Sequence, residues 1–256
     1  MSRLDAPINV FKQRLLAGEQ LIGIWNSLAN PIAAEALSLV GYDWMLFDTE
    51  HSPVEIAGIL PLLQAAAVGS AAHVVRPAWN DPVLIKRALD IGAQTLLIPF
   101  VQNADEAQAA VCAMRYPPKG LRGVAGSTRA SRFGLAPDYL GSANEQVCCL
   151  VQIETEEALT NLEEIAQTEG VVGVFIGPSD LAASLGYLGE PENPVVQNAL
   201  EDCVNRLKDI NVPAGILATN TDAAIRYRKW GYQFVAAGVD TSLLVSGAKT
   251  VLQTVV

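Results

Sequence analysis

Polar residues with catalytic potential recur directly behind short apolar runs. Asp48-Thr49-Glu50-His51 follows WMLF, Arg76 follows AHVV, Gln152 and Glu154 close VCCLVQIE, and Gly177-Pro178-Ser179-Asp180 follows VVGVFI. If those runs are parallel strands of a closed barrel, all of these residues gather at its carboxyl end, where barrel enzymes place their chemistry. Glu154 and Asp180, carried by neighbouring strands, could share one hard cation. Two carboxylates with coordination positions left for water and substrate oxygens suit Mg²⁺, Mn²⁺ or a similar ion better than a closed zinc site. Each also has a plainer reading, Glu154 as a helix-start acid and Asp180 as a first-turn acid, both favoured by the helix dipole. A histidine and an arginine on the same rim turn the combination towards a metal site.

His51 is one of two histidines in the chain. Imidazole titrates near neutral pH, which makes His51 a candidate proton acceptor, although a lone helix-start histidine is often ordinary surface. Asp48 and Glu50 are near enough in sequence to orient it or raise its pKa, and Asp48 could equally just close its strand. His73 starts the third run, towards the opposite end, and reads as structural. Arg76 ends an apolar strand, where a guanidinium needs an anion, a developing oxyanion or a structural salt bridge. GPSD opens a helix whose free N–H groups could hold a carboxylate, and a plain strand-to-helix turn explains the same residues. A Schiff-base route needs a lysine on a barrel strand, desolvated enough to act as a neutral amine. Lys12, Lys86, Lys119, Lys208, Lys229 and Lys249 all fall on expected helices or in a long loop. The metal route is favoured.

The elements that must position these groups follow from the apolar periodicity. Buried strands are expected at 21–25, 44–48, 72–76, 95–101, 147–154, 171–177, 214–218 and 234–239. Helices are expected near 31–40, 53–67, 82–91, 104–114, 156–168, 195–209, 221–230 and 241–254. Asn30-Pro31, Ser52-Pro53 and Asp81-Pro82 each read as a capping side chain before a first-turn proline. Asn103 with Glu106 forms a potential capping box, and Thr155, Ser179, Asn220 and Asp240-Thr241 offer further caps. Eight strand–helix alternations in 256 residues favour a single (β/α)8 barrel domain over residues 1–256. With no GxGxxG behind the first strand, a dinucleotide-binding open sheet has little support. The stretch 115–146 is too long for a simple connection and should cover or complete a site, its own or a neighbouring subunit's.

Half of the residues are apolar and 17% are charged, as in a chain with a large core. A formal charge of -10 disfavours nucleic acid and anionic membrane as partners, leaving a small molecule. The amino-terminal stretch lacks the apolar core of a signal peptide and no run is long enough to span a bilayer, so the cytoplasm is expected. Cys112, Cys148, Cys149 and Cys203 lack zinc-site spacing, and adjacent strand residues 148 and 149 point to opposite faces, so buried free thiols are expected.

Longer stretches carry a resemblance. GYDWMLFDTEHSP, VVRPAWNDPVLIKRALDIGAQTLLIPFVQNADEA, RYPPKGLRGV, LVQIET, VFIGPSDLAASLGY and FVAAGVDTSLL, in this order, resemble the HpcH/HpaI family of class II pyruvate aldolases. The resemblance implies a barrel of the phosphoenolpyruvate/pyruvate type and a divalent metal (Mg²⁺, Mn²⁺ or Co²⁺). It implies aldol cleavage of 4-hydroxy-2-oxoacids to an aldehyde and pyruvate, or an analogue such as hydroxypyruvate, in the breakdown of compounds that include aromatics. It assigns His51 as proton acceptor, Arg76 as stabiliser of the enolate-like transition state, and Glu154 and Asp180 as metal ligands. Gln152, Ser179 and Asp180 match substrate-contacting positions, Leu217 one near the aldehyde, and Asp90 in RALDIG an acid that increases the basicity of the histidine. Thr49 and Ser179 stand where some members have glycine and alanine; Thr49 is expected to alter the aldehyde pocket. Members form hexamers, trimers of dimers, that exchange the last helix, and apolar positions 244, 248, 251, 252 and 255 supply a stripe for a partner or for the chain's own barrel. A related barrel lyase decarboxylating oxaloacetate, or a metabolite-binding barrel without chemistry, are the alternatives.

Overall fold

A computed structural model describes residues 4–256; Met1 to Arg3 of the amino-terminal stretch lie outside the described residues. Eight strands close a barrel in sequence order, each pair of neighbours parallel. They are β1 (Leu21–Asn26), β2 (Trp44–Asp48), β3 (Ala72–Arg76), β4 (Thr95–Ile98), β5 (Cys148–Ile153), β6 (Val171–Ile176), β7 (Ala214–Leu217) and β8 (Phe234–Val239). The expected strands are all present. The fifth, sixth and seventh stop one residue short of the expected ends, and the fourth stops three short, before Pro99 and Phe100, where Phe100 turns into the left-handed region at φ 54°.

Side chains alternate across each strand. Trp44 and Leu46 of β2 fill the barrel interior with Leu21, Trp25, Val74 and Phe175, while Met45 and Phe47 face the helix layer. The same period separates Cys148, inside, from Cys149, outside. Cys203 is also buried, whereas Cys112 is only half-buried; all four are free thiols.

Helices return on the outside: α2 (Pro31–Ser38), α3 (Ile56–Ala66), α4 (Pro82–Asp90), α5 (Ala104–Met114), α7 (Glu156–Thr160) with α8 (Leu162–Ala166), α10 (Pro194–Asp209), α11 (Thr221–Trp230) and α12 (Asp240–Val255). Asn30 and Asp81 cap as expected, each accepting two first-turn N–H groups. Asn103, Thr155 and Asn220 cap their helices too. Ser52 does not. Its hydroxyl donates to the Ser27 carbonyl at 2.8 Å, and α3 starts later, at Ile56. Ser179 sits inside α9 (Pro178–Ser184), whose cap position is Gly177. Asp240 accepts from Thr241 N, and also from the backbone N–H groups of Ser27 and Leu28, tying the start of α12 to the loop after β1.

Two pieces went unforeseen. Helix α1 (Val10–Leu16) plugs the amino end of the barrel, with the Phe11 ring 6.0 Å from Trp44 and 5.9 Å from Phe234. The 115–146 excursion contains a 3-10 turn (Arg129–Gly134) and α6 (Tyr139–Gln146). It packs at the same amino end, where Gln146 accepts from Asn9 N and Arg129 donates to the Ile91 carbonyl. It therefore does not cover the carboxyl end of its own barrel. Along α12, Leu244, Val251, Leu252 and Val255 are exposed, so the apolar stripe does not pack on the chain's own barrel. Among the described residues no helix is long and apolar enough to cross a membrane.

Candidate active site

The register of β2 against β3 sets Asp48 directly opposite Arg76. Both continue the inward-facing period, so they form the top layer of the barrel interior. Arg76 donates from Nε to Asp48 Oδ1 at 2.8 Å and from Nη2 to Oδ2 at 2.7 Å, a bidentate pair. Trp25 lies beneath, its ring centroid 4.7 Å from the guanidinium carbon and its Nε1–H donating to Asp48 Oδ2 at 3.2 Å. Glu50 Oε2 comes within 2.8 Å of Arg76 Nη1, a close ion contact off the hydrogen-bonding direction. Burial would raise the Asp48 carboxyl, but the hydrogen bonds and charge of Arg76, with the Glu50 N–H, hold it below the ordinary carboxylate range. Arg76 is thus a buried charge with a charged partner, and its Nη1 points on towards Gln152 Oε1 at 3.5 Å.

Glu154 follows β5 and is 3% exposed. Its Oε2 accepts the Phe100 N–H at 3.0 Å and its Oε1 accepts Gln152 Nε2 at 2.6 Å. Burial first, then the charges of Asp180 and Glu50, push its carboxyl up to about 8. Glu50 is raised as well, by burial, with Arg76 opposing. Gly177 is required here: a Cβ at that position would stand 2.8 Å from Glu154 Oε1 and 3.2 Å from Gln152 Nε2. The space over the carboxylate exists because residue 177 has no side chain.

A cavity of about 230 Å³ opens at this end, lined among others by Trp25, His51, Arg76, Gln152, Asp180 and Leu217. Ser179 and Asp180, in the first turn of α9, are exposed to it, and Leu217 closes the β7 side. The His51 side chain is 68% exposed, with Nε2 4.0 Å from Glu50 Oε1. The fold thus brings together His51, Arg76, Asp48, Gln152, Glu154, Ser179, Asp180 and Leu217 from the ends of β2, β3, β5, β6 and β7. The Thr49 hydroxyl donates to the Arg76 carbonyl at 2.7 Å and so braces the β2–β3 pair.

Asp90 is not brought to the site within one chain. Ending α4, it lies at the amino end of the barrel, where Arg122 Nη2 donates to it at 2.7 Å. A larger cavity, about 450 Å³, opens there beside Leu89, Arg122, Arg129 and Tyr139, away from the carboxylate cluster. His73 is structural, as expected, with burial lowering it to about 4. Among the described residues no lysine enters the barrel: Lys12 of α1 bonds the Glu145 and Val147 carbonyls, Lys119 lies in the loop after α5, and Lys86, Lys208, Lys229 and Lys249 sit on outer helices.

Sequence reasoning passed over Trp25 and Phe100. A tryptophan closing an otherwise aliphatic strand was a usable signal for Trp25, since its N–H needs a partner when buried. Nothing in the residue type marks Phe100, which acts through its backbone.

A profile of the HpcH/HpaI aldolase/citrate lyase family matches residues 21–247. The chain belongs to this family. It is 54% identical over 96% of its length to a pyruvate aldolase of Rhizobium etli, covering 97% of that protein. It is 52% identical over 94% of its length to a 4-hydroxy-2-oxo-heptane-1,7-dioate aldolase of Salmonella paratyphi C, covering 92% of that protein. Its fold superposes with a TM-score of 0.94 on a crystal structure of an HpcH/HpaI aldolase/citrate lyase family protein from Burkholderia cenocepacia, at 43% identity and covering 96% and 99% of the two chains. The protein is an enzyme of the aldolase type.

As a cation site for such an aldolase, the cluster fits a hard ion. The charges of Asp180 and Glu50 both bear on the buried Glu154 carboxyl, and that of Asp180 bears on Glu50, with Arg76 as the countercharge. Among the described residues no group of three or more His, Cys, Asp or Glu side chains is arranged to enclose a metal. What the protein offers is Glu154, with room over its carboxylate kept by Gly177, and Asp180 in the first turn of α9.

Proposed function

We propose that this enzyme is a divalent-metal-dependent aldolase that cleaves 4-hydroxy-2-oxoacids to an aldehyde and pyruvate, or an analogue such as hydroxypyruvate. The observation that carries this reading is the surplus of negative charge around the buried Glu154 carboxyl, held open by Gly177. Such a cluster must either take up protons or bind a cation. The names of the Rhizobium etli and Salmonella relatives support the substrate class.

Glu154 and Asp180 would hold Mg²⁺, Mn²⁺ or Co²⁺, which when bound supplies a Lewis acid for the 2-oxoacid carbonyl. Every other part is the chain's own. His51 accepts the C4 hydroxyl proton. As the C3–C4 bond breaks, the C4 oxygen closes to the aldehyde carbonyl and the bonding pair passes through C3 towards the keto oxygen. Arg76, fixed by Asp48 and Trp25, supports the charge arriving there. Return of a proton to C3 completes pyruvate. Gln152 and the first turn of α9, with Ser179, line the oxoacid's side of the cavity; Leu217 borders the aldehyde. For Asp90 to strengthen His51 as a base, it must come from a second copy of the chain, and the exposed stripe on α12 suits such an assembly.

The test is pyruvate release from a panel of aldol adducts by chelated enzyme, before and after adding each cation. Turnover that needs a divalent ion and yields both products supports the proposal; turnover unchanged by exhaustive chelation overturns it.

A further inference from the structure

Phe100 occupies an uncommon place. It follows β4, carries a bulky side chain at φ 54°, and donates its N–H to Glu154 Oε2 at 3.0 Å. Left-handed backbone disfavours any residue with a Cβ, and aromatic residues have no polar side-chain bond to offset it. The geometry is nevertheless what aims that N–H at the carboxylate. Trp79, in the loop after β3, stacks on the Phe100 ring at 5.6 Å with an interplanar angle of 29°. Both rings are about half exposed, and neither lines the cavity of His51, Arg76 and Asp180. The neighbouring N–H, of Val101, donates to the Gln152 carbonyl at 3.2 Å, so this turn is stitched to β5 on both sides of the Glu154 side chain.

We infer that Trp79 is a positioning residue: by stacking on Phe100 it holds the turn after β4 in the left-handed conformation that orients Glu154 for a cation. Gln152 fixes the other carboxylate oxygen, at 2.6 Å. Each oxygen then has one donor and keeps a lone pair for the ion. The inference rests on the metal reading proposed above, and extends it to residues that touch neither ion nor substrate.

The experiment is Mn²⁺ binding to chelator-stripped protein, read by the electron paramagnetic resonance of free Mn²⁺, for the wild type, Trp79→Ala, Phe100→Ala, Phe100→Gly and Trp79→Ala/Phe100→Gly. Glycine keeps the N–H and takes positive φ without penalty. Trp79→Ala and Phe100→Ala should each weaken binding about tenfold, the scale of one hydrogen bond to a charged group. Phe100→Gly should stay within about threefold of wild type, and adding Trp79→Ala to it should change nothing further. Unchanged affinity in Trp79→Ala, or equal losses for alanine and glycine at position 100, would overturn the inference. If the wild type binds no Mn²⁺, the metal reading fails by itself. Hydrogen exchange at the Phe100 amide then decides: faster exchange in Trp79→Ala supports the positioning role, and unchanged exchange overturns it.

Discussion

Glu154 should make the stability of the folded chain depend on pH and, under the proposed metal reading, on a divalent cation. Its carboxyl is pushed from an ordinary 4.5 to about 8 by burial and by the charges of Asp180 and Glu50. A raised carboxyl means that the folded state holds a proton the unfolded chain has lost, so stability is full below about pH 4.5 and falls as pH rises through about 8. With about 1.36 kcal/mol per pH unit, the loss between about pH 5 and about pH 8 comes to about 3 to 4 kcal/mol. For a chain of this size that corresponds to about 6 to 16 °C in melting temperature. The assay is thermal melting in chelator at several pH values across that window, for wild type and Glu154→Gln. The variant has no ionisable group at this position and should lose most of the slope, so that it is the more stable protein at the alkaline end. A divalent ion at about 100 times its dissociation constant should return about 2.7 kcal/mol to the wild type and none to the variant. Parallel melting curves for the two proteins would refute the account of how Glu154 is held.

His51→Ala should lower turnover by about 10²- to 10⁴-fold, with little change in melting temperature because the side chain is largely exposed; kinetics and a melt on the same preparation check both halves. Asp48→Asn leaves the buried Arg76 without its bidentate partner, and should cost about 3 kcal/mol, lowering the melting temperature by about 6 to 12 °C. Gly177→Ala puts a methyl 2.8 Å from the Glu154 carboxylate, and calorimetric titration with Mn²⁺ should show binding weakened about tenfold, on the scale of a single overpacked contact. Asp90→Asn leaves the site of an isolated chain untouched; a slowed rate in the native assembly, with a pH profile displaced for the base, would show that a second copy delivers this acid.

The strands of the barrel were legible because parallel strands buried on both faces must be written as unbroken apolar runs, and Asn30, Asp81 and Asn103 announce helices through orphan N–H groups that need partners at once. Polar residues directly behind those runs had to meet at one rim, so the sequence alone places His51, Arg76, Glu154 and Asp180 together. Family motifs sharpened this list. Only the tertiary structure decided the partnerships. Whether Arg76 reaches Asp48 or Glu50, and that it rests on Trp25, depends on strand register and on side chains distant in sequence. Thr49 turned to brace a neighbouring strand, and Asp90 went to the far end because a helix that runs back from the rim delivers its last residue to the opposite end. The Phe100 N–H on Glu154 and the empty space at Gly177 left no readable mark, since one is a backbone group and the other an absent side chain. Residue types determine which groups this protein can bring to its barrel mouth; distances, burial and mutual charge, which set their acidity and aim, arise only when the barrel closes.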